Sequence, residues 1–288
     1  MKHYRDWSRM KKILIVGLGL IGGSYALGLT KKGYEVYAYN RNKDAIDYAI
    51  KNKIIISGTS EFTKDFVGQF DRIIFSLYPK VFVEYIKNYK DFIKDGAIIS
   101  DVTGVKESIV YDTQAILNPR VEFIPAHPMA GKEVYGVKNA DEKIFENANY
   151  IITPTDKNTD EGIAFATEIG EALGFRKISI LSPEKHDEMI AFLSQLTHLI
   201  AVSLMTCKDS ENLVNYTGDS FRDLTRIANI NENMWTELFM MNKNALLKEM
   251  DSFINCITKL KDFIKGDEID KIKNMMKLST ERRKYFNK

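Results

Sequence analysis

Apolar and polar positions along the chain fall into two textures that meet near Pro183. Before that point, short apolar runs alternate with stretches of helical period. Ile13–Val16, Glu35–Tyr39, Arg72–Leu77, Ala97–Ser100, Glu122–Pro125, Tyr150–Thr153 and Lys177–Ile180 read as strands. Gly23–Lys32, Lys43–Asn52, Lys80–Asp91 and Gly162–Leu173 read as helices between them. Such alternation predicts a mostly parallel sheet with helices on both faces. After Pro183 no convincing strand remains, and Glu184–Cys207, Ser220–Ala228, Asn233–Leu260 and Asp267–Phe286 read as helices. The expected fold is therefore α/β followed by all-α, with one domain over residues 1–181 (1–9 a short extension) and another over 182–288. The helical pattern Met189–Met205 is apolar on most faces, which belongs to a buried helix or a subunit interface. So short a helical unit covers that surface most simply by forming a homodimer.

Length agrees with two domains. Basic and acidic residues number 41 and 39, so no electrostatic footprint for nucleic acid is present. No apolar stretch approaches the length of a membrane span. The segment MKHYRDWSRM lacks the apolar region of a secretory signal, and a cytoplasmic location is expected. Cys207 and Cys256 lie in helical patterns without metal-ligand neighbours and read as buried free thiols; no metal site is expected.

Within the first strand–helix–strand unit stands ILIVGLGLIGG, with Gly17, Gly19 and Gly22 spaced as GxGxxG. In this setting the glycines serve a tight turn, close approach of a pyrophosphate, and helix–strand packing. The phosphates would rest on N–H groups at the helix start, around Leu20 and Ile21. At the end of the second strand an acidic residue would favour NAD, by accepting from the ribose hydroxyl. This chain has Asn40 and then Arg41, whose guanidinium suits a phosphate, so NADP is preferred and NAD is the alternative. Ser76, at the end of the run Arg72–Leu77, joins the expected cofactor set.

His127 follows the run Glu122–Pro125, at a strand end where ligands of parallel sheets bind, and its pKa suits proton transfer. Pro125 and Pro128 restrict the backbone around it. His186, in SPEKHDE, begins a helix that Ser182 can cap, and reads as a capping or interdomain residue. Gln195 and His198 share one helix face as a polar pair that needs partners, in a ligand site or in the core. Arg222 and Arg226 are four apart, with Asp223 between them; this is either a substrate-carboxylate fork steadied by Asp223 or a solvated face.

Taken in order, GLGLIGGS, SDVTGVK, HPMAGKE, SPEKHDE, QLTH and FRDLTRIA resemble the prephenate/arogenate dehydrogenases of tyrosine biosynthesis over residues 10 to about 260. The resemblance implies a Rossmann-type dinucleotide-binding domain and an all-helical dimerisation domain. It implies oxidative decarboxylation of prephenate and/or arogenate to 4-hydroxyphenylpyruvate and/or tyrosine, with hydride passing to NAD(P). By position it makes His127 the catalytic base and Arg226 the substrate-carboxylate ligand. It moves His198 toward a substrate-side hydrogen-bond donor, with Gln195 beside it, and sets Glu133 at the pocket edge and Lys106 beside the nicotinamide. Where many members carry a Ser that assists the base, this chain has Gly104; Thr103, one position earlier, is the available hydroxyl. Tyrosine inhibition, where it occurs, is expected at the active site. Two rivals are a two-domain reductase or hydroxyacid dehydrogenase and a non-catalytic dinucleotide sensor. The first would want a Lys base inside the first long helix of the second half, which offers only Lys185 at its start before Lys208.

Overall fold

The computed structural model describes residues 12–209 and 211–286; the expected N-terminal extension, with His3, lies outside them. The first half contains β1 (Lys12–Val16), α1 (Leu20–Lys31), β2 (Glu35–Tyr39), α2 (Lys43–Lys51), β3 (Ser57–Thr59), α3 (Lys64–Val67), β4 (Arg72–Phe75), α4 (Pro79–Tyr89), β5 (Ile98–Asp101) and α5 (Glu107–Ile116). It continues with β6 (Glu122–Phe123), β7 (Ala126–Pro128), β8 (Asn149–Ile152), α6 (Asp160–Ala172) and β9 (Lys177–Ile180). Six strands form a parallel sheet in the order β3-β2-β1-β4-β5-β6. In β1, Ile13 and Ile15 join the core on one face of that sheet, while Leu14 and Val16 join the core on the other. This is the two-sided burial that continuous apolar runs encode.

The run Glu122–Pro125, expected as one strand, divides. β6 pairs with β5 only to Phe123, and the chain then starts a second sheet, β7-β8-β9, in which β7 is antiparallel to β8. A side chain anchors this change of sheet: Asp101 Oδ1 accepts the Ala126 N–H at 3.1 Å. His127 therefore sits within a short strand, opposite Ile151, and not after a parallel one.

The second half is helical: α7 (Pro183–Ile190), a π-helical turn over Ala191–Leu196, α8 (Thr197–Thr206), α9 (Asp219–Thr225), α10 (Glu232–Met241), α11 (Lys243–Lys265) and α12 (Ile269–Arg283). Ser182 caps α7 through the Lys185 N–H, and Pro183 takes its first turn, as the sequence suggests. The pattern Asn233–Leu260 is broken at Asn242, whose side chain is used by tertiary bonds described below. Pro183–Thr206 is, among the described residues, one helical run of 24 residues long and apolar enough to cross a bilayer by length and composition. That departs from the sequence expectation, because its few polar residues are spread thinly. Phe192, Leu193 and Leu204 lie exposed on it, and Ile254, Ile257 and Ile264 are exposed on α11. Cys207 and Cys256 are exposed thiols, a correction to their expected burial, since helical period alone does not say which face is covered.

Candidate active site

A cleft of about 740 Å³ runs from the glycine turn, past His127, to Arg226 and Trp235 in the helical half. At its first end Gly17 has φ +101°, and a Cβ there would lie 2.4 Å from the Ser76 carbonyl oxygen. A Cβ on Gly22 would lie 1.9 Å from the Gly17 carbonyl oxygen and 2.9 Å from the Ser76 Cβ. Gly19 has nothing within 4 Å of its Cβ direction, so the space over it is open. The first helical bond of α1 runs from the Gly23 N–H to the Gly19 oxygen, which leaves the amides of Leu20, Ile21 and Gly22 ahead of the ladder. Open space, a helix N-terminus and a cradle that a methyl group would fill together fit a dinucleotide phosphate. Asn40 Oδ1 accepts the Leu18 N–H at 3.0 Å and Nδ2 donates to the Asn42 carbonyl, so this side chain braces the glycine turn. Arg41 and Ser76 both line the cleft.

His127 stands on the cleft floor. Its Nδ1 is 2.8 Å from His186 Nε2, and His186 Nδ1 is 2.7 Å from Asp187 Oδ1. Burial, then the neighbouring His186 and Lys106, holds the His127 pKa well below the ordinary imidazole value. Burial also lowers that of His186, against the opposing pull of Asp187. A Cβ on Gly104 would be 3.7 Å from His127 Nε2, so the nitrogen away from His186 faces a residue without a side chain. A neutral imidazole with that nitrogen bare is a general base near neutral pH.

Beneath the floor lies a buried ion pair. Lys106 Nζ donates to Asp101 Oδ2 at 2.7 Å, to the Ala126 carbonyl at 2.6 Å and to Thr103 Oγ1 at 3.2 Å, and is fully buried. All three of its protons are used, so Lys106 supports the His127 strand from below and does not reach the nicotinamide half as expected. The Thr103 hydroxyl lies against the Asp101 carboxylate and the Val105 carbonyl. It is spent there, which corrects its expected role as the hydroxyl beside His127. Gln195 is also consumed: Nε2 donates to the Leu238 carbonyl at 3.0 Å and Oε1 accepts from Asn242 Nδ2 at 2.9 Å. Although it borders the cleft, Gln195 ties the π-helical turn to α10 and to Asn242 at the junction of α10 and α11.

At the far end, His198 Nδ1 is 2.8 Å from the Ser194 carbonyl and its ring lies over Trp235, with centroids 3.7 Å apart. Donation to Ser194 leaves Nε2 an acceptor while the ring is neutral, and burial lowers its pKa. The expected donor is thus an acceptor in this geometry. Arg226 pairs with Glu133 at 2.8 Å, joining the loop after β7 to the helical half. Arg222 turns back to Asp219 at 2.6 Å, and Asp223 is the ion-pair partner of neither arginine. His127, His198, Glu133 and Arg226 converge on one cleft. His186, Asp187 and Asp101 were missed as site residues. For the first two, SPEKHDE was the available signal, but its cap chemistry already offered a local explanation for the histidine.

Residues 25–179 match the family model described as the nucleotide-binding domain of prephenate dehydrogenase. Residues 182–278 match the model of its dimerization domain. Prephenate dehydrogenase of Lactococcus lactis subsp. cremoris is 33% identical over 253 residues, 85% of this chain and 68% of its own length. Cyclohexadienyl dehydrogenase of Zymomonas mobilis is 30% identical over 270 residues, 90% of each chain. The crystal structure of A. aeolicus prephenate dehydrogenase in complex with hydroxyphenyl propionate and NAD+ superposes with a TM-score of 0.87 at 29% identity, covering 96% of this chain and 98% of that one. With both domain models matched in order, the chain belongs to the prephenate dehydrogenase family.

Proposed function

We propose that this chain is an NAD(P)-dependent dehydrogenase that oxidatively decarboxylates prephenate, arogenate or both in tyrosine biosynthesis. The observation that carries the reading is one cleft holding a glycine-turn phosphate cradle, an imidazole base and an arginine for a carboxylate. The amides around Gly19, Leu20, Ile21 and Gly22, with Ser76, Asn40 and Arg41 nearby, would hold the dinucleotide, which when bound supplies a hydride acceptor. His127 Nε2 accepts the proton of the substrate's ring hydroxyl as C4 becomes a carbonyl carbon. It returns that proton to the phenolate oxygen once CO2 has left C1 and the ring is aromatic. Arg226 holds a substrate carboxylate by exchanging Glu133 for it, with Glu133 remaining at the pocket edge. His198 accepts a hydrogen bond from the substrate side.

NADP is the preferred dinucleotide in this reading, because no carboxylate stands at the end of β2 and Arg41 forms no ion pair among the described residues. The domains are assigned as 1–181 and 182–288. The exposed apolar faces of the second half support a homodimer through the helices, in keeping with the dimerization-domain match. A cytoplasmic location goes with a soluble biosynthetic enzyme. Initial rates with both substrates and both dinucleotides, for the wild type and His127→Gln, test the assignment.

A further inference from the structure

His186 and Asp187, the pair behind His127, touch no substrate atom, yet their contacts leave little freedom in where the protons lie. Asp187 meets only donors: Oδ1 accepts the Lys106 backbone N–H at 2.8 Å and faces His186 Nδ1 at 2.7 Å, while Oδ2 accepts the Glu107 N–H at 2.9 Å. A carboxylate offers acceptors alone, so His186 Nδ1 carries a proton and donates it. The ring of His186 has no exposed surface, and its neutral form then has Nε2 as an acceptor. His127 Nδ1, 2.8 Å away, must be the donor to it. The remaining His127 nitrogen, Nε2, is bare and faces Gly104, where no side chain can orient or quench it.

We propose that His186, braced by Asp187, is the positioning residue of the base: it fixes His127 as its Nδ1–H tautomer and keeps Nε2 open to the substrate hydroxyl. The brace is itself held, since Asn242 Nδ2 donates to the Asp187 carbonyl at 2.9 Å and to Gln195 Oε1. Three charged groups surround the two imidazoles, Asp187 on α7, Lys106 before α5 and Asp101 on β5, and each imidazole faces the other. When His127 takes up a proton on Nε2, its Nδ1–H still donates to His186 and His186 to Asp187, so the Asp187 carboxylate stabilises the imidazolium through the polarised chain without either ring turning.

The inference rests on His127 as the base, and two measurements separate the readings. In the whole protein without substrate, histidine 15N NMR near pH 7.5, with His127 assigned by its loss in His127→Gln, reads the tautomer directly. The expected result is a protonated Nδ1 and a bare Nε2; a protonated Nε2 overturns the inference, whatever the enzyme's activity. In steady-state kinetics, His186→Leu lowers kcat about 100-fold with substrate KM within about twofold. His186→Gln, which keeps an acceptor oxygen toward His127, recovers to within about tenfold of the wild type. Equal losses in the two variants, or a His186→Leu kcat within twofold of wild type, overturn it. A wild type inactive on prephenate and arogenate overturns the functional reading, while the NMR result still decides the tautomer.

Discussion

Replacing Lys106 by Met tests whether the floor of the cleft is built on a buried charge pair. The substitution keeps the volume of the side chain but removes its bonds to Asp101, the Ala126 carbonyl and Thr103. Asp101 is left buried with its charge, holding only the Thr103 and Ala126 N–H groups and the Thr103 hydroxyl. Breaking one side of such a pair costs about 3–5 kcal/mol, since the partner's charge stays desolvated. For a chain of this size that lowers the unfolding midpoint by about 6–10 °C. The assay is thermal unfolding of the wild type, Lys106→Met, Asp101→Asn and the double variant as a cycle. The double variant should recover much of the loss, because no unpaired charge remains. A loss below about 1 kcal/mol in Lys106→Met, or strict additivity in the cycle, would mean that Lys106 and Asp101 are not a coupled buried charge pair.

Three further outcomes follow from the geometry. Gly22→Ala drives a methyl group into the Gly17 carbonyl and Ser76, so titration with NAD or NADP should show affinity weakened by at least about tenfold; unchanged affinity contradicts the cradle. Because the His127 pKa is depressed, its base form persists below the usual imidazole range. The acid limb of kcat/KM should therefore fall at a pH under about 6.5, and a limb centred at or above that value counts against it. Arg226→Ala should lower kcat/KM for the carboxylate substrate about 10-fold to 100-fold, chiefly through KM. An effect confined to kcat would mean that Arg226 acts elsewhere.

Much of the parallel sheet is legible in the sequence, because strands buried on both faces leave continuous apolar runs such as Ile13–Val16. The division between β6 and β7 is not, since the apolar run continues through it and Asp101 captures the Ala126 N–H from 25 residues away. His127 stands out by its place and its flanking prolines, whereas His186 hides behind a helix start that Ser182 and Pro183 already explain. Only the pairing of two rings 59 residues apart reveals its use. The burial of Lys106 is hidden for a similar reason: a lysine in a turn is usually exposed, and nothing local announces that Asp101, Thr103 and Ala126 enclose it. Spacing on α9 suggests that Asp223 steadies an arginine, but the partner of Arg226 is Glu133, from the loop after β7.

Initial-rate formation of NADH or NADPH with prephenate and with arogenate, measured for the wild type and for His127→Gln, decides whether His127 is the base. The expected result is substrate-dependent reduction by the wild type, a faster rate with NADP than with NAD, and a loss of at least about 100-fold in kcat for His127→Gln with dinucleotide binding retained. Undiminished activity in His127→Gln would contradict the claim that this imidazole takes the hydroxyl proton.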